Sequence, residues 1–393
     1  MSDKDPVVIV GMARTPMGGL LGDLAGFSAN ELGALAIKAA VAEAKLKPGE
    51  ANEIIMGNCL PAGQGQAPAR QAGIKAGEDK GLEATTINKM CGSGMQAAVM
   101  GRNAILAGDA EIVIVGGMES MTNAPHLLNV RKGHKYGTMG AEDHMALDGL
   151  TDAYAKGPMG VFADKIAGEY QFTREQQDAY ALETLTRAQN ATRNGKFKRE
   201  ITPVTVKGKK GDIVIDTDEL PRTAMPEKIP TLKPAFSKDG TVTAANASAI
   251  SDGAAALVLM KESEAKKRGL KPLAKIVASS SHAHEPEYFT TAPVPAMQKA
   301  LKKAGWKTED VDLWEINEAF AVVPMIAMKE LGISHDKVNV NGGACAMGHP
   351  IGASGARVLI TLIAAMEDRG AKKGVASLCI GGGEGIAMAV ERV

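Results

Sequence analysis

The chain has 393 residues, with 45 Lys and Arg balanced by 45 Asp and Glu, four cysteines and only 4% aromatic residues. At roughly 100–200 residues per domain the length implies two or three domains, and the even charge gives no electrostatic reason to bind nucleic acid or a membrane surface. A hydrophobic content of 45% with 23% charged residues excludes a disordered chain.

In chain order, Val7–Val10 is an apolar β-branched run that reads as a buried strand ending at Gly11. The opening MSDKDPVVIVGMARTP shows no cationic segment followed by a long apolar run, and no later stretch approaches the ~18 apolar residues of a membrane span. Cys59, Cys91, Cys345 and Cys379 lack CxxC spacing, so the expectation is a reduced, cytoplasmic protein. Ser28 and Glu31 form a capping box ahead of helical periodicity at Leu32, Leu35, Ala36, Ala39 and Ala40. Strand-like Ile54–Met56, a helix from about Gly92 to Ala107 and strand Ile112–Val115 follow, an alternation that predicts an α/β sheet.

From about Ser120 to Ala245 the pattern changes. A loop HLLNVRKGHKYGTMGAEDHM precedes a capped helix from Thr173 to about Asn194, two short β-like runs at Ile201–Val206 and Ile213–Ile215, and a Pro-rich segment. Ser251–Met260 resumes a core strand and Lys275–Ser279 begins a second half. That half echoes the first: AVAEAKLKPGEANEIIMGN from Ala40 resembles ALKKAGWKTEDVDLWEINE from Ala300, and Gly94 falls opposite Gly355 in a second matching unit. Two matches in the same order and at nearly the same offset predict a duplicated domain. The expected organisation is an N-terminal α/β half, 1–120, completed by about 246–272; an inserted loop domain, 121–245, slightly basic; and a C-terminal α/β half, 273–393.

Three short glycine-rich runs can carry chemistry. Cys91, in KMCGSGMQAAV, precedes a helix whose unpaired N–H groups and dipole are expected to lower a thiol pKa from its free value of about 8.5; a small residue packed under a helix is the alternative. His349, in NGGACAMGHPIGASGAR, falls near the position of Cys91 in the repeat, and Cys with His is a nucleophile–base pair. Cys379 ends the strand of VASLCIGGGEG, where Gly381–Gly383 let backbone N–H groups approach a ligand as an oxyanion hole requires; a buried strand cysteine before a turn is the plainer reading. Asn317, in LWEINEAFAVVP, ends a strand, and a helix cap explains it equally well.

Taken together, CGSG at Cys91, NEAFA at Asn317, NGGACAMGHPIGASGAR around His349 and CIGGGEG at Cys379 resemble, in order and spacing, the signatures of the thiolase family. The resemblance covers essentially the whole chain and is strongest to the acetyl-CoA acetyltransferase (acetoacetyl-CoA thiolase) group. It implies a layered αβαβα core and a Claisen condensation of two acetyl-CoA to acetoacetyl-CoA and CoA, or the reverse thiolysis, through an acyl-Cys91 intermediate. His349 would assist Cys91 and Cys379 would act at the α-carbon. One oxyanion site would be formed by His349 with a water held by Asn317, the other by the N–H groups of Cys91 and Gly381. Ser248 would lie near the pantetheine, Arg222 on the adenine side, and Met159 and Phe320 in the pocket. Acyl-CoA substrates, no prosthetic group, no metal and a homotetramer built as a dimer of dimers also follow from the resemblance. Thiolysis of longer 3-ketoacyl-CoA substrates is an alternative, as are a decarboxylating ketoacyl synthase and a silent acyl-CoA or lipid binder. The chain departs from the family at Pro158, where His is frequent, and at Ser251, where Asn is frequent. Cys345 and Cys59 are read as packing, and His282 with His284 lack the further ligands of a metal site.

Overall fold

The computed structural model describes residues 5–209 and 211–393. Strand β1 (Val7–Arg14) leads through α1 (Ala29–Glu43), β2 (Glu53–Gly57), α2 (Pro68–Ala76), β3 (Glu83–Ile87) and α3 (Ser93–Ala107) to β4 (Ile112–Ser120). The chain then leaves the core, forms α4 (Met159–Glu169) and α5 (Arg174–Arg193), and returns as β5 (Ser251–Lys261) between β1 and β4. The second half comprises β6 (Ala274–Ala283), α6 (Pro293–Ala304), β7 (Leu313–Ile316), α7 (Val322–Leu331), α8 (Ile351–Arg369), β8 (Lys373–Ile380) and β9 (Glu384–Arg392).

The strand order is β7-β8-β9-β6-β1-β5-β4-β2-β3. The pairing repeats outward from the junction between β1 and β6: antiparallel β1–β5 and β5–β4 followed by parallel β4–β2 are matched by antiparallel β6–β9 and β9–β8 followed by parallel β8–β7. The counterpart of β3 shrinks to a parallel bridge between Trp314 and Val338. Only Val8 and Ile9 on β1 pair with β6, so two sheets meet at a narrow seam.

Alternating side chains divide the interior into three apolar layers, as the two-residue period of a strand requires. Ile54, Ile112, Ile114 and Val258 face α1 on one outer side, while Ile55, Val113, Val115 and Leu257 face the middle. The middle layer is filled by α3 and α8 and closed by Leu378, Ile380 and Met388 of the second sheet; the outer side of that sheet packs Val375, Ala387 and Ala389 against α6 and α7. The result is the expected αβαβα order. Helix α8 is buried on every face from Ile351 to Met366 because a sheet lies on each side of it.

At the centre α3 crosses α8 backbone to backbone. A Cβ on Gly94 would lie 2.6 Å from the Ala356 nitrogen, and one on Gly355 would collide with the Met95 nitrogen. The inserted segment is tied down by buried charge: Arg14, on β1, is fully buried and reaches Asp218 at 2.7 Å and Glu200 at 2.8 Å.

Candidate active site

The N-terminal ends of α3 and α8 and the loop after β8 converge on a cavity of about 400 Å³ lined by Cys91, His349, Cys379, Gly381, Ser248, Met159 and Phe320. Cys91 sits on a tight turn in which Met90 adopts a left-handed φ of 47°, rare for a side-chain-bearing residue. Ser93 secures that turn: its hydroxyl accepts from the Lys89 N–H at 2.8 Å and donates to the Met90 carbonyl at 2.7 Å. A Cβ on Gly92 would meet Ile380, next to Cys379, at 2.5 Å, so glycine lets the turn lie against the end of β8. Across this gap the N–H of Gly381 and that of Cys91 itself point to the Cys91 sulfur. Gly382 and Gly383 both have φ near +90°, a hairpin conformation that side chains rarely adopt.

The expected lowering of the Cys91 pKa is not found. Burial pushes the thiol up to about 11, and the two N–H groups offset only part of that cost. Cys379 is raised well above the ordinary thiol value, first by burial and then by Cys91 nearby. Both sulfurs therefore rest as thiols, and activation must come from a base at the moment of reaction.

His349 is positioned for that task. The Ser354 hydroxyl lies 2.9 Å from the Pro350 carbonyl and 2.6 Å from His349 Nδ1; with its single proton given to the carbonyl, it accepts from the ring. Nδ1 then carries the proton and Nε2 keeps its lone pair. Burial, and then the Arg357 charge, lower the imidazole pKa to about 3, so the resting ring is neutral.

Asn317 lies behind this ring, its Nδ2 3.4 Å from Nδ1 and 3.5 Å from Nε2. It is not a helix cap: α7 starts at Val322, with Ala321 in the cap position. Its Oδ1 accepts from Arg357 at 3.3 Å, and Arg357 reaches Glu315 at 2.7 Å. Neighbouring Glu318 accepts from Tyr180 at 2.8 Å, Thr184 at 2.9 Å and the Cys345 N–H at 3.0 Å, joining α5 to the segment that leads into His349.

Arg222 is not brought to the cavity; it is half exposed and pairs with Asp23. Pro158 is exposed at the start of α4, and it is Met159 that lines the cavity. Ser251 turns away, its hydroxyl donating to the Ala249 carbonyl at 2.9 Å. Cys59 is buried, its thiol donating to the Met90 carbonyl at 3.2 Å beneath the Cys91 turn. Cys345 donates weakly to the Glu318 carbonyl at 3.6 Å. His282 and His284 stack edge to face, and among the described residues no group of three or more His, Cys, Asp or Glu is placed to hold a metal ion.

Sequence reasoning missed Glu119, Ser354 and Arg357. The fully buried Glu119 carboxylate accepts from the backbone N–H groups of Cys59 (2.8 Å), Leu60 (3.1 Å) and Gly352 (2.9 Å) and from Asn58 Nδ2 (2.6 Å), bolting the loop below Cys91 to the first turn of α8. Burial raises its pKa to about 7 despite those donors. The available signals were an acidic residue closing an otherwise apolar strand, IVIVGGMES, and Ser and Arg three apart in a helix of small apolar residues.

Known proteins carry the same fold. The thiolase N-terminal domain model matches residues 7–263 and the thiolase C-terminal domain model residues 270–392. An acetyl-CoA acetyltransferase of Shinella zoogloeoides is 49% identical over 98% of this chain and 99% of its own length, and a cytosolic acetyl-CoA acetyltransferase of mouse is 47% identical over 99% of both. The crystal structure of the Acat5 thiolase of Ascaris suum in complex with coenzyme A superposes with a TM-score of 0.94 at 42% identity, covering 99% of this chain and all of that one. This chain belongs to the thiolase family.

Proposed function

We propose that the protein is an acetyl-CoA C-acetyltransferase that condenses two acetyl-CoA molecules to acetoacetyl-CoA and CoA, and catalyses the reverse thiolysis. The observation that carries this reading is the convergence of two thiols, Cys91 and Cys379, and a neutral His349 on one cavity. A Cys–His hydrolase has no use for the second thiol; a carbon–carbon bond-forming enzyme does.

The proton accounting closes on these residues. Cys91 gives its proton to His349 Nε2 and adds to the thioester carbonyl, with the N–H groups of Cys91 and Gly381 serving the resulting oxyanion. The tetrahedral adduct collapses to acetyl-Cys91, and the departing CoA sulfur takes the proton of Cys379. The Cys379 thiolate removes a proton from the α-carbon of the second acetyl-CoA, whose enolate oxygen is held by His349 and by Asn317 or a water on its amide. The enolate carbon attacks acetyl-Cys91, and the released Cys91 sulfur recovers its proton from the imidazolium. One oxyanion donor is worth about 2.7–4 kcal/mol, so these donors contribute as much as the bases do. Ser248 lies beside the pantetheine arm, and Arg222, placed outside the cavity, is left to the adenine end.

Phe236, Phe289 and Phe320 pack edge to face, with ring centroids 6.0 and 6.1 Å apart, and wall one side of the cavity. This supports a short acyl group over long 3-ketoacyl chains. The chemistry needs no metal or prosthetic group. A cytosolic relative supports a cytoplasmic enzyme, and exposed Leu128, Tyr136 and Met139 on the inserted segment support the homotetramer, which light scattering will test. Incubation with acetoacetyl-CoA should place one acetyl group on the peptide containing Cys91; its appearance elsewhere, or turnover that grows with chain length, would overturn the reading.

A further inference from the structure

We infer that Arg357 is a positioning residue for the enolate-stabilising site, its guanidinium fixing the Asn317 amide so that Nδ2 faces His349 and the cavity. The inference rests on the proposed role of Asn317 and His349. Arg357 lies on α8 two turns beyond His349 and is 1% exposed. Its partners Glu315 and Asn317 are two residues apart at the end of β7, on one face of the strand, and the planar fork spans both: Nη1 donates to Glu315 Oε1 at 2.7 Å and Nη2 to Asn317 Oδ1 at 3.3 Å.

A guanidinium has only donors, so the amide oxygen must face it; the flipped amide would set N–H against N–H in a buried space. Nδ2 is thereby committed to the other side. There it is almost equidistant from the two ring nitrogens of His349, which places it against the imidazole and out of line with either nitrogen. Its N–H groups are not consumed by the ring and stay available to an oxyanion or a bridging water. Glu315 anchors the fork from the same strand as the amide it orients. Lysine at 357 would keep the charge, but a single ammonium cannot reproduce the fork.

The test is a double-mutant cycle on acetoacetyl-CoA thiolysis, combining Arg357→Lys with Asn317→Ala and measuring kcat, KM and melting temperature at each corner. Arg357→Lys should lower kcat by roughly tenfold or more, the scale of one misplaced buried donor, while KM stays within about twofold. In the Asn317→Ala background the same change should lower kcat by less than about twofold. Equal losses in both backgrounds, or losses that track the folded fraction, would overturn the inference. Should Arg357→Lys fail to fold, the paired replacement Glu315→Met/Arg357→Met removes the buried ion pair without stranding a charge and enters the same cycle, judged by the same coupling. If Asn317→Ala alone retains full kcat, the role of Asn317 has failed, an outcome distinct from an impaired Asn317→Ala that shows no coupling to Arg357.

Discussion

Cys91 and His349 stand just ahead of the two central helices, at comparable places in the two halves, yet their turns are held in different ways. The Cys91 turn is locked from within: Met90 takes a left-handed φ, Ser93 bonds to both sides of it, and Gly92 admits the facing strand. The His349 turn has one local tie, Ser354, and is otherwise held from afar, with Glu119 of β4 gripping Gly352 at 2.9 Å, Glu318 of the β7 end gripping Cys345 at 3.0 Å and Arg357 acting through Asn317. A nucleophile needs one fixed point and an approach path, which local geometry supplies. The acid–base group must take up the Cys91 proton and hand it back without shifting its ring, and that calls for partners placed through the interior.

If the nucleophile sits only in the local turn, Cys91→Ser should abolish thiolysis, with kcat falling by roughly 10⁴-fold or more; near-normal turnover measured with acetoacetyl-CoA would end the comparison. Cys379→Ala should reduce condensation by roughly 10²–10⁴-fold, the range of a lost general acid–base group, while acetyl-CoA still labels Cys91, because CoA can depart as a stable thiolate. Loss of labelling in mass spectrometry would mean that the two steps are not separate. Because the Cys91 pKa lies near 11, above the assay range, its thiolate fraction grows tenfold per pH unit. Iodoacetamide alkylation at Cys91 should therefore rise by about a hundredfold from pH 7 to 9 without a plateau, and a plateau near pH 7 would show that the helix start does lower the thiol. The smallest effect belongs to the His349 side: Ser354→Ala frees the His349 tautomer and should lower kcat by about tenfold with little change in melting temperature. A drop in melting temperature with kcat per folded molecule preserved would assign Ser354 to packing.

The same contrast governs what was legible in the sequence. Cys91, Cys379 and Gly381 announce themselves because their function is local, written in contiguous runs that set backbone shape. The capping box at Ser28 and Glu31 is equally local, with Glu31 accepting from the Ser28 N–H at 2.9 Å. Arg14, Glu119, Glu315 and Arg357 did not announce themselves, since an isolated charge reads as solvated surface and their partners lie 40 to more than 200 residues away. The direction of the Cys91 pKa was misread for a related reason: the helix start was visible, but the depth of burial set by two stacked sheets was not.

The crossing of α3 and α8 has a consequence of its own. Where two helices touch through glycine, no side chain intervenes to act as a spring, so their separation is the thickness of two backbones. Cys91 and His349 are carried at the ends of these two rods, and Gly94 and Gly355 form the pin of the scissors. The separation of the two rods is thus gauged by peptide geometry, a ruler that the buried side chains around each turn refine but that repacking elsewhere in the core does not rescale.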